Sequence, residues 1–348
     1  SPSRLLVSSY PYQLLIRSLP VTQKTRREFM TSTMGAGAAG IAAGVSLVGS
    51  ASAAHPAKRG YRLSTDELKA RFNDPIWNRE TSAKIEGDTA PGKYVNGYVT
   101  GTVMGVRDNE AVRALFGFEV FSSIRVLKQE NGDYQRLCRE LIFYRDLNTG
   151  ELMDSWLNPY TNEEVAVVDV ANDPFNYVIS DHFPDPPSYG GLNTAKPPRR
   201  PLIRNWTLLN DDTVVLTSDI YLYYRNKLDP AIWVRESAGP MNRVSELFRY
   251  SIRREDIEND ALTHMPHTGV WNRITPWLPW MLMGTAPGHI VYAGTFSSVP
   301  SVDSVPAPVA KRVRERFPQY TVAPEKWVDP SYSSLENYAR TQKPAKPK

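Results

Sequence analysis

Residues 118–146 read FEVFSSIRVLKQENGDYQRLCRELIFYRD. Two runs rich in Phe, Val, Ile, Leu and Tyr flank Asn131-Gly132, and an Asn-Gly pair between such runs is a strong short-range signal for a β-hairpin. The arms are expected at 118–129 and 133–146. Outward from them, Asn148-Thr149-Gly150 leads into a run at 152–157, and Asn210-Asp211-Asp212 joins runs at 203–209 and 213–225. Further runs of the same composition lie at 97–106, 164–170, 246–253 and 288–297. Hairpins in sequence without crossover helices imply an antiparallel meander, and so many strands close most readily on themselves. The expected fold is mainly β: an antiparallel closed barrel or sandwich, lipocalin or calycin in type, with a few peripheral helices.

Helices are expected at the margins. Ser64 and Glu67 have capping-box spacing ahead of Leu68 and Phe72, and 307–317 reads as an amphipathic helix stopped by Pro318. Two stretches break the β pattern. Residues 184–201 hold six prolines and Gly190-Gly191, an irregular excursion across the surface or one barrel end. Residues 271–284 hold Trp271, Trp277, Trp280, Met281 and Met283 around Pro276 and Pro279, which forbid a regular helix or central strand. One domain is expected over 54–340, with a disordered Lys/Pro tail at 341–348.

Upstream, Arg26-Arg27 is followed by Glu28, Phe29 and Met30, then by a mild Gly/Ala-rich run from Met34 to Val48 and by Ala51-Ser52-Ala53. This order is that of a twin-arginine export signal over 21–53, with cleavage before Ala54 and a periplasmic or secreted product. The apolar run is too short and mild to span a bilayer. Residues 1–20 show no pattern belonging to that signal and are expected to be upstream translation, with Val21 the start. The whole chain carries a formal charge of +4. The leader's Arg4, Arg17, Lys24, Arg26 and Arg27 against Glu28 account for all of it, which removes the charge argument for a nucleic-acid partner.

Cys138 is the single cysteine, so an intramolecular disulfide, a four-cysteine zinc site and an iron–sulfur cluster are excluded. No G-x-G-x-x-G, Walker loop or H-E-x-x-H occurs, and no cofactor or metal is expected. His264 and His267 alone are close enough to ligate jointly, and loop histidines there read as solvated polar residues.

Arg139-Glu140, Tyr144-Arg145-Asp146 with Thr149-Gly150-Glu151, Trp156 with Asn158-Pro159, Asn172-Asp173-Pro174, and Trp277-Leu278-Pro279-Trp280-Met281 with Met283-Gly284 together resemble the bacterial family catalogued as domain of unknown function 1838. The resemblance covers nearly all of the chain after the leader. It implies a twin-arginine leader and a shared architecture, and it carries no catalytic roles.

Alternation within 133–146 puts Arg136, Cys138, Glu140 and Tyr144 on one face and Leu137, Arg139, Leu141 and Phe143 on the other. Both faces mix charge with bulk, as a polar-decorated cavity requires; an edge strand or an interface gives the same pattern. Asp219 and Tyr221 lie on a hydroxyl-rich face of 213–225, which reads equally as exposed sheet. Arg249 is the candidate cation for Glu140 or Asp219, or an exposed cross-strand partner. The candidate catalytic set is thus Glu140, Asp219, Arg249 and Tyr144. Candidate ligand-binding residues are Arg139 and Tyr221 on the strands, Trp156, Asn158 and Asn172 at strand ends, and Trp277, Trp280 and Met281 over the cavity mouth. These imply a small, largely apolar or aromatic ligand, handled by carboxylate acid–base chemistry in an isomerase, lyase or hydrolase. A lipocalin-like carrier, or an interaction module using the Trp-rich segment, fits the same residues. Partners expected are that ligand and the export machinery, with no nucleic acid and no stable membrane span.

Overall fold

The computed structural model describes residues 62–347, so the expected export signal, its cleavage site and residues 1–20 lie outside the described residues. The Asn131-Gly132 hairpin joins β2 (Arg113–Lys128) to β3 (Tyr134–Arg145). Gly132 takes φ 89° and its N–H donates to Gln129 O at 2.9 Å, so the glycine fills the left-handed place in a three-residue loop. The remaining strands are β1 (Val95–Val106), β4 (Ser155–Asn158), β5 (Glu163–Ala166), β6 (Val170–Asn172), β7 (Tyr177–Ile179), β8 (Asn205–Asn210), β9 (Thr213–Arg225), β10 (Met241–Arg253), β11 (Thr268–Thr275) and β12 (His289–Val299). Helices α1 (Thr65–Phe72) and α2 (Pro75–Glu86) precede the strands, α3 (Arg254–Ile257) follows β10, and α4 (Ala307–Arg316) and α5 (Ser334–Thr341) follow β12.

Ten strands form one antiparallel sheet in the order β6-β3-β2-β1-β12-β11-β10-β9-β8, with β7 also on β3; β4 and β5 pair separately. The sheet curls strongly. Strands β3 and β12 are separated by β2 and β1, each step about 4.8 Å in a sheet, yet Tyr144 and Tyr292 bring their hydroxyls to 3.2 Å on the concave face. Glycines permit this. Gly101 and Gly294 face each other across β1 and β12, and a Cβ on Gly294 would stand 2.7 Å from both the Phe118 ring and Thr100 O.

The expected closed barrel is not formed among the described residues, because the edges β6/β7 and β8 share no ladder. The proline-rich excursion leaves from one edge and returns at the other, and its prolines cannot donate to a ladder. Among the described residues, the isolated bridge His182↔Pro201 is the β pairing that links the two ends of the excursion. Helix α2 stands by the gap. Its fully buried Asn78 donates to Phe72 O and Asp74 O, both at 2.9 Å, and accepts from the Trp206 indole of β8 at 2.7 Å.

The convex side of β2 and β3 packs Phe121, Leu141 and Phe143 under Val309, Ala310 and Val313 of α4. The convex side of β9–β11 is bare, and Tyr221 is 71% exposed there. One expectation about β structure fails usefully: Trp271 belongs to a regular strand, β11, and the irregular segment starts only at Pro276. After Thr341 the chain has no regular structure, and Ala345 N–H donates to Glu236.

Candidate active site

The inward faces of the two halves of the sheet carry unlike side chains. Near the middle, Phe118 packs edge to face on Tyr292 at 5.0 Å and on Trp271 at 5.5 Å, Phe116 does so on Trp156 at 5.2 Å and on Tyr144 at 5.3 Å, and Trp280 lies tilted against Tyr144 at 5.2 Å. The irregular segment covers this end. Trp277 and Trp280 are buried, Trp277 donates to Ala286 O at 2.9 Å, and Asn158 anchors the segment by donating to Met281 O at 2.8 Å.

Beside these rings lies a group of charges. Glu140 of β3, Glu246 of β10 and Arg273 of β11 all face inward, and each keeps part of its surface accessible on the concave face. Trp271 donates its indole N–H to Glu246 at 3.0 Å, and Arg273 pairs with Glu246 at 3.7 Å. Asn172 donates to Glu140 at 3.0 Å, and its amide is oriented by Asn337 of α5, which donates to Asn172 Oδ1 at 2.9 Å. Burial pushes the Glu140 carboxyl above its ordinary range, the Glu246 charge adds to the rise, and Asn172, Arg136 and Arg273 oppose it. Burial likewise raises the phenols of Tyr144 and Tyr292. One buried donor here lacks an acceptor, the Nε of Arg273. Tyr189, from the proline-rich excursion, packs tilted against Tyr224 at 4.9 Å and feels the charges of Arg273, Glu246 and Glu140.

Residues 95–342 match the model of a family described as a protein of unknown function, DUF1838. The chain belongs to this family. The DUF1838 region begins with β1 and ends just after α5, so it holds every strand and every charge of the concave group and omits α1 and α2. No curated protein matches the chain.

The structure brings together some of the residues expected at a site. Glu140, Tyr144 and Asn172 share the concave face, with Trp156, Trp280 and Met281 in the aromatic cluster beside it and Trp277 against Ala286. Others are elsewhere. Asp219 and Tyr221 lie on the exposed convex face of β9, and Arg249 on that of β10, so neither Asp219 nor Arg249 reaches Glu140. Arg139 also points outward, pairing with Asp173 at 3.0 Å and donating to Gln319 O and Val322 O beside a groove of about 620 Å³. Asn158 is committed to backbone. The cation and second acid of the concave face, Arg273 and Glu246, are not among the expected residues. Glu246 shares its face with Phe248, Tyr250 and Ile252, whose apolar bulk marks that side of the strand as the inward one; Arg273 alternates with Trp271 and Thr275 in a strand read as irregular. Among the described residues no three His, Cys, Asp or Glu side chains are grouped to hold a metal, and no helix is long and apolar enough to cross a membrane.

Proposed function

We propose that the concave face binds a small molecule with an apolar or aromatic body and that Glu140 exchanges a proton with it, in a cofactor-independent isomerase, lyase or hydrolase exported by the twin-arginine route. The observation that carries this reading is the pairing of unlike carboxyls. Glu246 is held by an indole N–H and an arginine, whereas Glu140 has one amide donor and a carboxyl raised by burial. A carboxyl raised toward neutrality is suited both to give and to take a proton.

The convex face offers the contrast. Glu119 of β2 is buried too, but Arg145 donates to it at 2.6 Å, Thr100 at 3.1 Å and Tyr98 as well, which is the saturation of a structural carboxylate. Near Glu140, the unpartnered Nε–H of Arg273 supplies a donor for a substrate oxygen, and the Tyr144 and Tyr292 hydroxyls, in contact with each other, add polar groups on the same face. Orientation of Glu140 falls to Asn172, itself fixed by α5.

The purified chain is to be incubated with a cell metabolite extract, retained molecules identified by mass spectrometry, and their conversion followed for wild type and Glu140→Gln. The expected result is retention by both and conversion by wild type alone. Equal conversion by both removes Glu140 from the chemistry, and retention without any conversion favours a carrier.

A further inference from the structure

Among the described residues the concave face holds three arginines, and two are matched by acids: Arg136 with Glu86 of α2 at 3.1 Å, and Arg273 with Glu246 at 3.7 Å. Arg204 is different. It stands one residue before β8, on the inward side with Trp206, and its backbone N–H donates to Asn78 at 3.3 Å. Its Nη1 reaches only the Ser218 hydroxyl at 3.5 Å, its Nε is buried without an acceptor, and among the described residues it forms no ion pair. The third interior acid, Glu140, accepts from Asn172 and, among the described residues, forms no ion pair with Arg204. A guanidinium held inside without a carboxylate partner is unfavourable unless some other group accepts from it. A protein that keeps such a group on an accessible concave face has an acceptor arriving from solution.

What surrounds Arg204 is aromatic. Tyr177 of β7 and Tyr250 of β10 both feel its charge, and Tyr250 packs against Phe296 at 4.9 Å and His267 at 5.3 Å. Phe248 continues the patch toward Trp271. An aromatic surface ending in an unmatched guanidinium fits a flat apolar molecule with one acidic group at its end. We propose that Arg204 binds the carboxylate of the ligand, so that the site takes an aromatic or alicyclic monocarboxylate, oriented with its acid at the α2 end and its body along the rings toward Glu140. This rests on the concave face being the binding site.

Two fluorescent probes test it: anilinonaphthalenesulfonate and phenylnaphthylamine share one aromatic body and differ in the anionic group. Wild type is expected to bind the anionic probe about tenfold tighter or more, the span of one charge-assisted hydrogen bond. Arg204→Gln should abolish that preference while leaving the neutral probe's affinity unchanged, and Arg204→Lys should keep part of it. Equal affinities in wild type, or an unchanged preference in Arg204→Gln, overturn the proposal. Should circular dichroism show that Arg204→Gln does not fold, displacement of the neutral probe from wild type decides. Naphthoate must then compete about tenfold better than naphthylmethanol, and equal potency overturns the proposal. Failure of both probes to bind overturns the reading of the concave face as well, whereas equal binding overturns only the anion.

Discussion

Glu119 and Glu140 sit on adjacent strands and point to opposite sides of the sheet, and they differ in partners: three side chains donate to Glu119 and one to Glu140. Because burial raises the Glu140 carboxyl, the folded protein holds that proton more tightly than the unfolded chain does. Its contribution is therefore fully present below the ordinary carboxylate range and is lost as pH rises through the folded value. Glu140→Gln keeps the oxygen that accepts from Asn172 and has no proton to lose. The melting temperature of wild type relative to Glu140→Gln should accordingly fall between pH 4 and pH 8; a difference constant over that range would mean Glu140 titrates normally. At this scale the sequence was informative about Glu140 and Tyr144, because alternation along one strand is local. It misled about Asp219 and Arg249, since which face of a strand points inward is decided by what packs on it. For β9 and β10 the inward faces are the ones bearing Leu216 and Ile252, under Leu68 and Phe72 of α1.

The hairpins were legible because each is set by a few adjacent residues, as at Gly132. Strand β11 was not, since its Trp271 sits five residues from Pro276 and groups by composition with the tryptophans of the following segment. Only its pairing with β10 and β12, far away in sequence, makes it a central strand. The curl at β1 and β12 is an element property with a direct test. Gly294→Val puts a branched side chain against Thr100 O and the Phe118 ring, where backbone cannot yield. A loss of about 3 kcal/mol in urea denaturation is expected, at the upper end for overpacking. A loss below about 1 kcal/mol would show that the two strands can separate without harm.

The open seam between β7 and β8 is a property of the whole chain, and no local pattern announced that a helix would stand in it. Asn78 does that work with one side chain bonded to both α1–α2 backbone and β8. Asn78→Ala strands those groups in the interior, and about 3 kcal/mol of stability should go with it; a change within 0.5 kcal/mol, the ordinary surface range, would mean the seam needs no such tie. Export belongs to this scale too: Arg26→Lys with Arg27→Lys should leave the protein in the cytoplasm on cell fractionation, and continued appearance outside would end the twin-arginine reading. The strand order has one more consequence. The sheet's centre is the ladder between β1 and β12, which brings Asn96 to Val299, while its edges come from the middle of the chain. Each half can form as a meander during synthesis, but their junction waits for the last strand, β12, to leave the ribosome. Until then β1 and β11 both expose a full row of unpaired backbone groups, so an incomplete chain carries two adhesive edges where the finished molecule has its most protected seam.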